Sequence, residues 1–232
     1  MSLNLLKDIN IITQYVEQIY KKYPIETDVL EWRSFSPGEC IYEQGFPLPF
    51  LSFLVKGKVK IYTTSEEGKR LIVTFNKPLE LFGDLELVQQ VDTLHTIEAV
   101  TPVHIAVLPL GLARSWREDA IFNELLLQSI SRKFLTKSST LSFHLLHEAD
   151  VRLASYLTSI SHDEQGVFIN PLIPKNELKM IAEFIGITVR HQNRCIQLFE
   201  HEGIIKRIPG YLEIIDSKKL LKYAKQNIYE MQ

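Results

Sequence analysis

Cysteine is scarce in this chain, which contains only Cys40 and Cys195 among its 232 residues. Two cysteines so distant in sequence cannot supply a disulfide framework, a thiolate-rich metal site or an iron–sulfur cluster. We therefore expect both to be small core residues.

Long apolar runs are also absent. Residues 1–10 lack the basic start and apolar run of a secretion signal, and no later segment approaches the roughly 18 uninterrupted apolar residues of a membrane span. The composition, 45% hydrophobic and 23% charged, is typical of a soluble globular protein. These features predict a cytoplasmic protein without membrane contact.

A strong net charge is lacking as well, since the formal value is -2. Residues 1–150 carry 15 Lys and Arg against 19 Asp and Glu, whereas residues 151–232 carry 11 against 9. The C-terminal excess agrees with a basic surface but does not establish one, because solvated charge is the commoner explanation. A chain of this length favours two compact units.

The pattern of apolar and polar residues changes twice along the chain. Leu5–Tyr20 is amphipathic and predicts an N-terminal helix. Residues 30–109 contain short β-branched and aromatic runs that predict an antiparallel β-sandwich or β-barrel. Examples of these runs are Phe50–Val55, Lys58–Thr63 and Arg70–Phe75. Ile121–Leu146 contains no Pro or Gly and predicts a long helix, and another helix is expected from Asp150 to Ser161.

The long helix carries an apolar stripe with gaps of three, four, seven and four residues, close to the 3.5-residue period of a two-helix seam. Its members are Leu127, Ile130, Phe134, Leu141 and Leu145. We expect this stripe to form a dimer interface. Packing of the helix on its own barrel would explain part of the same pattern.

Glu177–Glu200 has the pattern of a helix-turn-helix. Ala182 supplies the small residue where the helices cross, Gly186 tolerates a positive φ in the turn, and Thr188 can cap a second helix over Val189–His201. The inward-facing apolar set is Ile181, Ile185, Ile187, Cys195 and Ile196. Gly203–Ile215 follows with a Pro209–Gly210 turn between two apolar strands, which predicts a wing.

The second helix has the side chains that a recognition helix needs. Arg can hydrogen-bond guanine O6 and N7 with two prongs, and Arg190 and Arg194 lie four residues apart beside Val189, which can contact a thymine methyl. We predict that these three residues read bases. The residues that we predict to contact phosphates are Thr188, His191, Lys206 and Arg207.

Gln192 does not fit the pattern, because this motif usually has a buried aliphatic residue there. Either its amide bonds locally or the helix is rotated. A second hypothesis is therefore a ligand-binding or protein-interaction module whose winged helix no longer binds DNA. An enzyme of the cupin type is not expected, since His95 and His104 form no metal-binding spacing motif; we predict no metal and no cofactor.

From about Leu30 onward the chain resembles the CRP/FNR family of bacterial transcription regulators. The resemblance rests on Phe53–Val59, Leu81–Leu87, Val151–Leu157 and Gly186–Ile205. It implies a sequence-specific regulator that reads a palindromic double-stranded DNA site as a homodimer, with Val189, Arg190 and Arg194 at the base-reading positions. Gly210–Ile215 and the Glu86–Leu87 pair are similar to the YeiL-type branch.

The predicted fold class is α+β. A cyclic-nucleotide-binding-like barrel of jelly-roll type with an N-terminal helix would occupy residues 1–120, a dimerisation helix and hinge residues 121–149, and a winged helix-turn-helix residues 150–232. RNA polymerase and an unknown small-molecule effector are further partners that the resemblance allows without identifying either.

The effector loop departs from the members that bind cyclic AMP. Asp84, after Gly83, provides an acid that can hold a ribose. Leu94 and His95 replace the usual Arg-Ser pair, which removes the charge-assisted bonds to the phosphate. We expect another effector or none; the seven histidines leave haem open. Our hypothesis is that Lys137 faces the barrel and anchors an acidic ligand, and the alternative is that it extends to solvent.

Overall fold

The computed structural model describes residues 5–6, 8–23, 25–225, 227 and 229–230, and for residues 136–146 the helical backbone alone. The chain divides into two compact units. The first comprises Met1–Ile61 with Asn76–Leu135, and the second comprises Tyr62–Phe75 with Thr136–Gln232.

The strands before residue 110 form two antiparallel four-stranded sheets. The first has the order β1, β8, β3, β6, with bounds Glu31–Phe35, Val103–Pro109, Phe50–Lys56 and Glu80–Phe82. The second has the order β2, β7, β4, β5, with bounds Cys40–Tyr42, Thr96–Ala99, Val59–Thr64 and Arg70–Asn76. In β3 every residue except Lys56 is buried, which explains its nearly continuous apolar sequence.

The helices of this part of the chain are α1 (Ile9–Lys22), α2 (Asp84–Gln89), α3 (Leu110–Ser115) and α4 (Ala120–Leu146), with a 3₁₀ turn at Trp116–Glu118. α1 begins at Ile9 because Asp8 Oδ1 accepts hydrogen bonds from the backbone of Asn10 and Ile11. The predicted start at Leu5 is therefore wrong, since Leu5 forms an isolated bridge with Arg33 instead.

The second unit contains a helix-turn-helix and a small sheet. Its helices are α5 (Ala149–Ser161), α6 (Leu178–Phe184), α7 (Val189–His201) and α8 (Ser217–Ala224). Its strands pair antiparallel in the order β10, β11, β9, with bounds Ile205–Ile208, Tyr211–Ile214 and Leu172–Pro174. The predicted fold class is confirmed: antiparallel sheets, a helix of 27 residues and a C-terminal winged helix-turn-helix.

The second unit has an aromatic core to which the hairpin 62–75 contributes. The ring centroids of Tyr62 and Phe184 lie 5.1 Å apart, and those of Phe75 and Tyr156 lie 5.7 Å apart. Tyr229, fully buried, packs against Phe75 and Tyr156 with centroid distances of 6.4 Å to each. Hairpin, helices and C-terminal tail therefore share one core.

Candidate nucleic-acid interface

α7 begins at a side-chain cap and ends close to the next glycine. Thr188 Oγ1 accepts a hydrogen bond of 3.1 Å from the backbone of His191, and Gly186 takes a φ of +65° in the preceding turn. The bounds Val189–His201 agree with the prediction. Thr188 is therefore a helix cap in the structure, and its phosphate contact stays a prediction.

One face of α7 is buried and the opposite face is open. The buried residues are Gln192, Cys195, Ile196 and Phe199. The exposed residues along the first two turns include all three predicted base readers, Val189, Arg190 and Arg194, together with His191. The structure thus presents two guanidinium groups and a small apolar side chain on one accessible helix surface.

Two amide side chains share this open face and were missed in the sequence analysis. Asn193 and Gln197 are exposed and lie four residues apart, each three residues after an arginine. Asn and Gln can bond adenine N6 and N7 with two prongs, so these residues have suitable chemistry for base contacts. Their four-residue spacing is visible in the sequence, but only Val189, Arg190 and Arg194 were predicted to read bases.

Gln192 takes the place of the aliphatic residue that the motif usually buries. It is fully buried, and neither its Nε2 nor its Oε1 has a hydrogen-bond partner among the described residues. Its neighbours on the inward face are the predicted Cys195 and Ile196, so α7 is not rotated. A local bond is not found either, and the amide is buried at a cost.

The two cysteines differ in their surroundings. Cys195 is buried in the inward face of α7, and burial raises the pKa of its thiol, as expected of a core residue. Cys40 is only half-buried, and its Sγ donates to the carbonyl of Tyr42 at 3.0 Å. The described residues contain no group of three or more His, Cys, Asp or Glu side chains placed to hold a metal ion.

The wing is formed by β10 and β11 around the predicted Pro209–Gly210 turn. Both predicted phosphate contacts of the wing, Lys206 and Arg207, are exposed on β10. Arg207 already has a partner, because its Nη1 lies 2.8 Å from Glu200 Oε2 and its backbone N–H donates to Glu200 Oε1. This pair joins the wing to the last turn of α7.

A groove of about 390 Å³ lies between the start of α5 and α7. Glu148 and Asp150 line one part of it, and His191 and Arg194 line another. Two of the residues predicted to contact DNA thus lie near two acidic side chains of the same unit. The remaining lining residues are Ala149, Arg152, Cys195 and Leu198.

The effector loop is joined to α4 by a buried ion pair. Asp84 is 2% exposed. Its Oδ1 lies 2.6 Å from Lys133 Nζ, and its Oδ2 accepts a hydrogen bond of 2.6 Å from the hydroxyl of Ser129. Lys133 also donates to the carbonyl of Leu81. Lys133 and Ser129 were not predicted as site residues, because polar residues are frequent in this part of α4 and the sequence does not single these two out.

The other predicted effector residues differ in their exposure. Gly83 precedes α2 with a φ of +88°. Leu94 is 39% exposed and its backbone N–H donates to Glu86 Oε1. His95 is half-buried, and the side chain of Lys137 lies outside the described residues.

The apolar stripe of α4 is open to solvent where the structure describes it. Leu127 is 60% exposed and Phe134 is 72% exposed, whereas Ile130 is half-buried. Ile121, six residues before Leu127, is exposed as well. Leu141 and Leu145 belong to the segment whose side chains lie outside the description.

Two family models match the chain. The cyclic nucleotide-binding domain matches residues 32–117, and the Crp-like helix-turn-helix domain matches residues 151–223. The first match covers the paired sheets and the effector loop. The second covers α5 to α8 with the wing.

Individual proteins agree with these two matches. The chain is 23% identical to the CRP-like cAMP-activated global transcriptional regulator of Mycobacterium tuberculosis, over 86% of this chain and 90% of that protein. It is 22% identical to the regulatory protein YeiL of Escherichia coli O157:H7, over 77% and 78% of the two chains. A solved structure of the CRP/FNR family from Eubacterium rectale superposes with a TM-score of 0.70 at 18% identity, covering 95% and 96%.

Proposed function

Because this chain belongs to the CRP/FNR family of transcription regulators, we propose that it reads a specific double-stranded DNA site through α7. The observation that carries the proposal is the open face of that helix, on which Val189, Arg190 and Arg194 are exposed together while the opposite face is buried. A recognition helix has to present its donors to base edges in the major groove in this way.

The exposed residues of α7 and the wing divide into two roles. Arg190 and Arg194 project from the recognition helix and read bases, with Val189 against a thymine methyl. His191, Thr188 and the wing residues Lys206 and Arg207 contact phosphates, which set affinity and salt dependence without reading sequence.

Binding of the full-length protein to a pool of random duplexes tests this division. A duplex enriched from the pool is compared with an unrelated duplex of equal length at two salt concentrations. Arg194→Ala should weaken binding to the enriched duplex by about 1–3 kcal/mol, whereas Lys206→Ala should weaken both duplexes alike and lower the salt slope. An equal loss on both duplexes from both variants would contradict the division.

The wild-type protein also decides between the two hypotheses for the second unit. Enrichment of one sequence supports the regulator. Equal, weak binding to every duplex would instead support a protein-interaction module whose winged helix has lost DNA recognition.

The protein acts as a homodimer joined along α4. Leu127 and Phe134 are exposed seven residues apart, with the half-buried Ile130 between them at gaps of three and four, which is the spacing of a seam between two copies of the same helix. A symmetric pair places two recognition helices roughly 34 Å apart, one turn of DNA, and so matches a palindrome.

Sedimentation of two matched variants tests the dimer. Phe134→Glu places a charge in the seam and should give a monomer at micromolar concentration. Ile9→Glu alters an equally exposed apolar residue on α1 and should leave the mass unchanged. A wild-type protein that sediments as a monomer would overturn the dimer.

The effector is not a cyclic nucleotide. Leu94 stands where the resemblance expects the phosphate-binding Arg, and the carboxylate of Asp84 is already held by Lys133 and Ser129. Calorimetric titration with cyclic AMP should give no binding below millimolar concentration, and micromolar binding would refute this part of the proposal. The effector is another small molecule, or the protein has no effector. RNA polymerase is a further proposed partner, and the proposed location is the cytoplasm.

A further inference from the structure

The turn of the helix-turn-helix determines the direction in which α7 leaves it. Gly186 N–H donates to Glu183 O at 3.0 Å and Ile187 N–H donates to Ala182 O at 2.9 Å, which closes the end of α6. The cap residue Thr188 follows at once. Any displacement of this turn therefore tilts the first turn of α7.

Arg152, in the first turn of α5, holds this turn from one side. Its Nη1 donates to the carbonyl of Ile185 at 2.9 Å. Ile185 is the C-cap of α6, and the carbonyls at a helix C-terminus carry partial negative charge, so a guanidinium is a favourable donor there. The buried Nε of Arg152 has no hydrogen-bond partner among the described residues, so this single bond orients the side chain.

The hairpin 62–75 holds the same turn from a second side. A Cβ added at Gly186 would lie 3.6 Å from Leu71 Cδ1 and 3.7 Å from Arg152 Nη1, so the two side chains meet at one glycine. Tyr62 of the hairpin packs on Phe184, the last residue of α6. Gly186 itself is exposed, so side chains of α5 and of the hairpin flank the turn without enclosing it.

The C-terminal tail fastens the hairpin in this position. The backbone N–H of Phe75 donates to the carbonyl of Tyr229 at 2.7 Å, and Thr74 Oγ1 donates to the same oxygen at 3.0 Å. Because Tyr229 itself is buried between Phe75 and Tyr156, the hairpin is not a loose segment of the unit.

We propose that Arg152 is a positioning residue for DNA reading, which together with Leu71 clamps the turn at Gly186 and so fixes the direction of α7. This inference rests on the proposed function. Two-pronged bonds to a base tolerate little tilt of the helix. A flexible side chain can keep its contact to a phosphate when the helix tilts. The clamp therefore acts on the preference for one sequence more than on binding to DNA in general.

The test compares four full-length variants on the enriched duplex and on the unrelated one. Arg152→Ala should lower the ratio of the two affinities by about tenfold, a loss typical of one misplaced two-pronged contact, and Leu71→Ala by about threefold. Arg152→Lys keeps a charged donor and should recover part of the ratio. Lys69→Ala, an exposed residue of the same hairpin, should leave it unchanged.

The active fraction of each preparation is measured by stoichiometric titration, because a merely structural role would lower that fraction and not the ratio. An unchanged ratio in Arg152→Ala would overturn the proposal. If Arg152→Ala does not fold, unchanged ratios in both Arg152→Lys and Leu71→Ala overturn it. Failure of the proposed function is a different result, namely a wild-type protein without preference for any duplex.

Discussion

Each unit buries a polar side chain at its candidate site, one in the effector loop and one in α7. The two side chains differ in their hydrogen-bond partners. Asp84, in the first unit, is an ion paired with Lys133 and hydrogen-bonded to Ser129. Gln192, in the second unit, is neutral and has no hydrogen-bond partner for its amide among the described residues. Both are at most 2% exposed.

The difference shows where each region gains and loses stability. A buried charge is tolerated only when it is paired, so removing a partner of Asp84 is costly. A buried unpaired amide is already a cost, so replacing it with an apolar side chain is a gain. Three measurements can break or sharpen this comparison, and a fourth concerns a half-buried histidine of the first unit.

The largest effect is expected from Lys133→Met. The variant leaves a buried carboxylate without its ion-pair partner and should lower the free energy of unfolding by about 3 kcal/mol, measured by urea denaturation. Adding Asp84→Asn should recover part of the loss. Glu31→Gln, which removes an exposed partner 2.9 Å from Arg33, should cost less than about 1 kcal/mol. Equal losses would show that the Asp84 pair is unimportant.

Ser129→Ala is expected to have the next largest effect. It removes a hydrogen bond to a charged group and should cost about 1.5–2 kcal/mol by the same measurement. Ser131→Ala, an exposed position on the same helix, is the matched control and should stay within about 0.5 kcal/mol of the wild type. A neutral Ser129→Ala would mean that Lys133 alone satisfies the carboxylate.

Gln192→Leu should act in the opposite direction. Relief of a buried unpaired amide predicts a gain of about 1 kcal/mol in the stability of the second unit. Gln197→Leu changes an exposed residue of the same helix and should alter stability by less than about 0.5 kcal/mol. A destabilised Gln192→Leu would indicate that the amide has partners in solution.

The smallest effect concerns His104, a half-buried group whose Nδ1 lies 3.0 Å from the hydroxyl of Tyr15. Burial, assisted by Lys56, lowers the pKa of His104 below its usual value of about 6.5. The unfolded chain then takes up a proton at a higher pH than the folded one, so stability should fall as the pH drops below about 6.5. His104→Gln should reduce this slope in urea titrations at pH 7.5 and 5.5; an unaltered slope would contradict the assignment.

Local signals predicted α7 and the wing well, because a cap at Thr188, a permissive Gly186 and the Pro209–Gly210 turn act within a few residues. Helical periodicity likewise placed Arg190 and Arg194 on one face. The start of α1 was misplaced because apolar residues continue before Asp8, which alone defines the cap. Asp84, Ser129 and Lys133 could not be joined from the sequence, since 45 or more residues separate the carboxylate from its partners.

The hairpin 62–75 illustrates the same limit. Its alternating β-branched and aromatic residues predicted strands correctly, but nothing in them indicates that they group with residues 136–232. That grouping depends on rings of Tyr156, Phe184 and Tyr229, more than 80 positions later. Local periodicity in the sequence does not indicate tertiary contacts of this kind.

The pairing of Arg207 with Glu200 bears on how such a protein finds one site in a genome. A phosphate that engages Arg207 first has to displace a carboxylate held at 2.8 Å, so the wing releases fewer counterions than its two cations suggest. Weak binding to non-specific DNA shortens the time that a regulator spends bound to competing sequences. Under the proposed function, the acid at the end of α7 would favour discrimination at the expense of raw affinity.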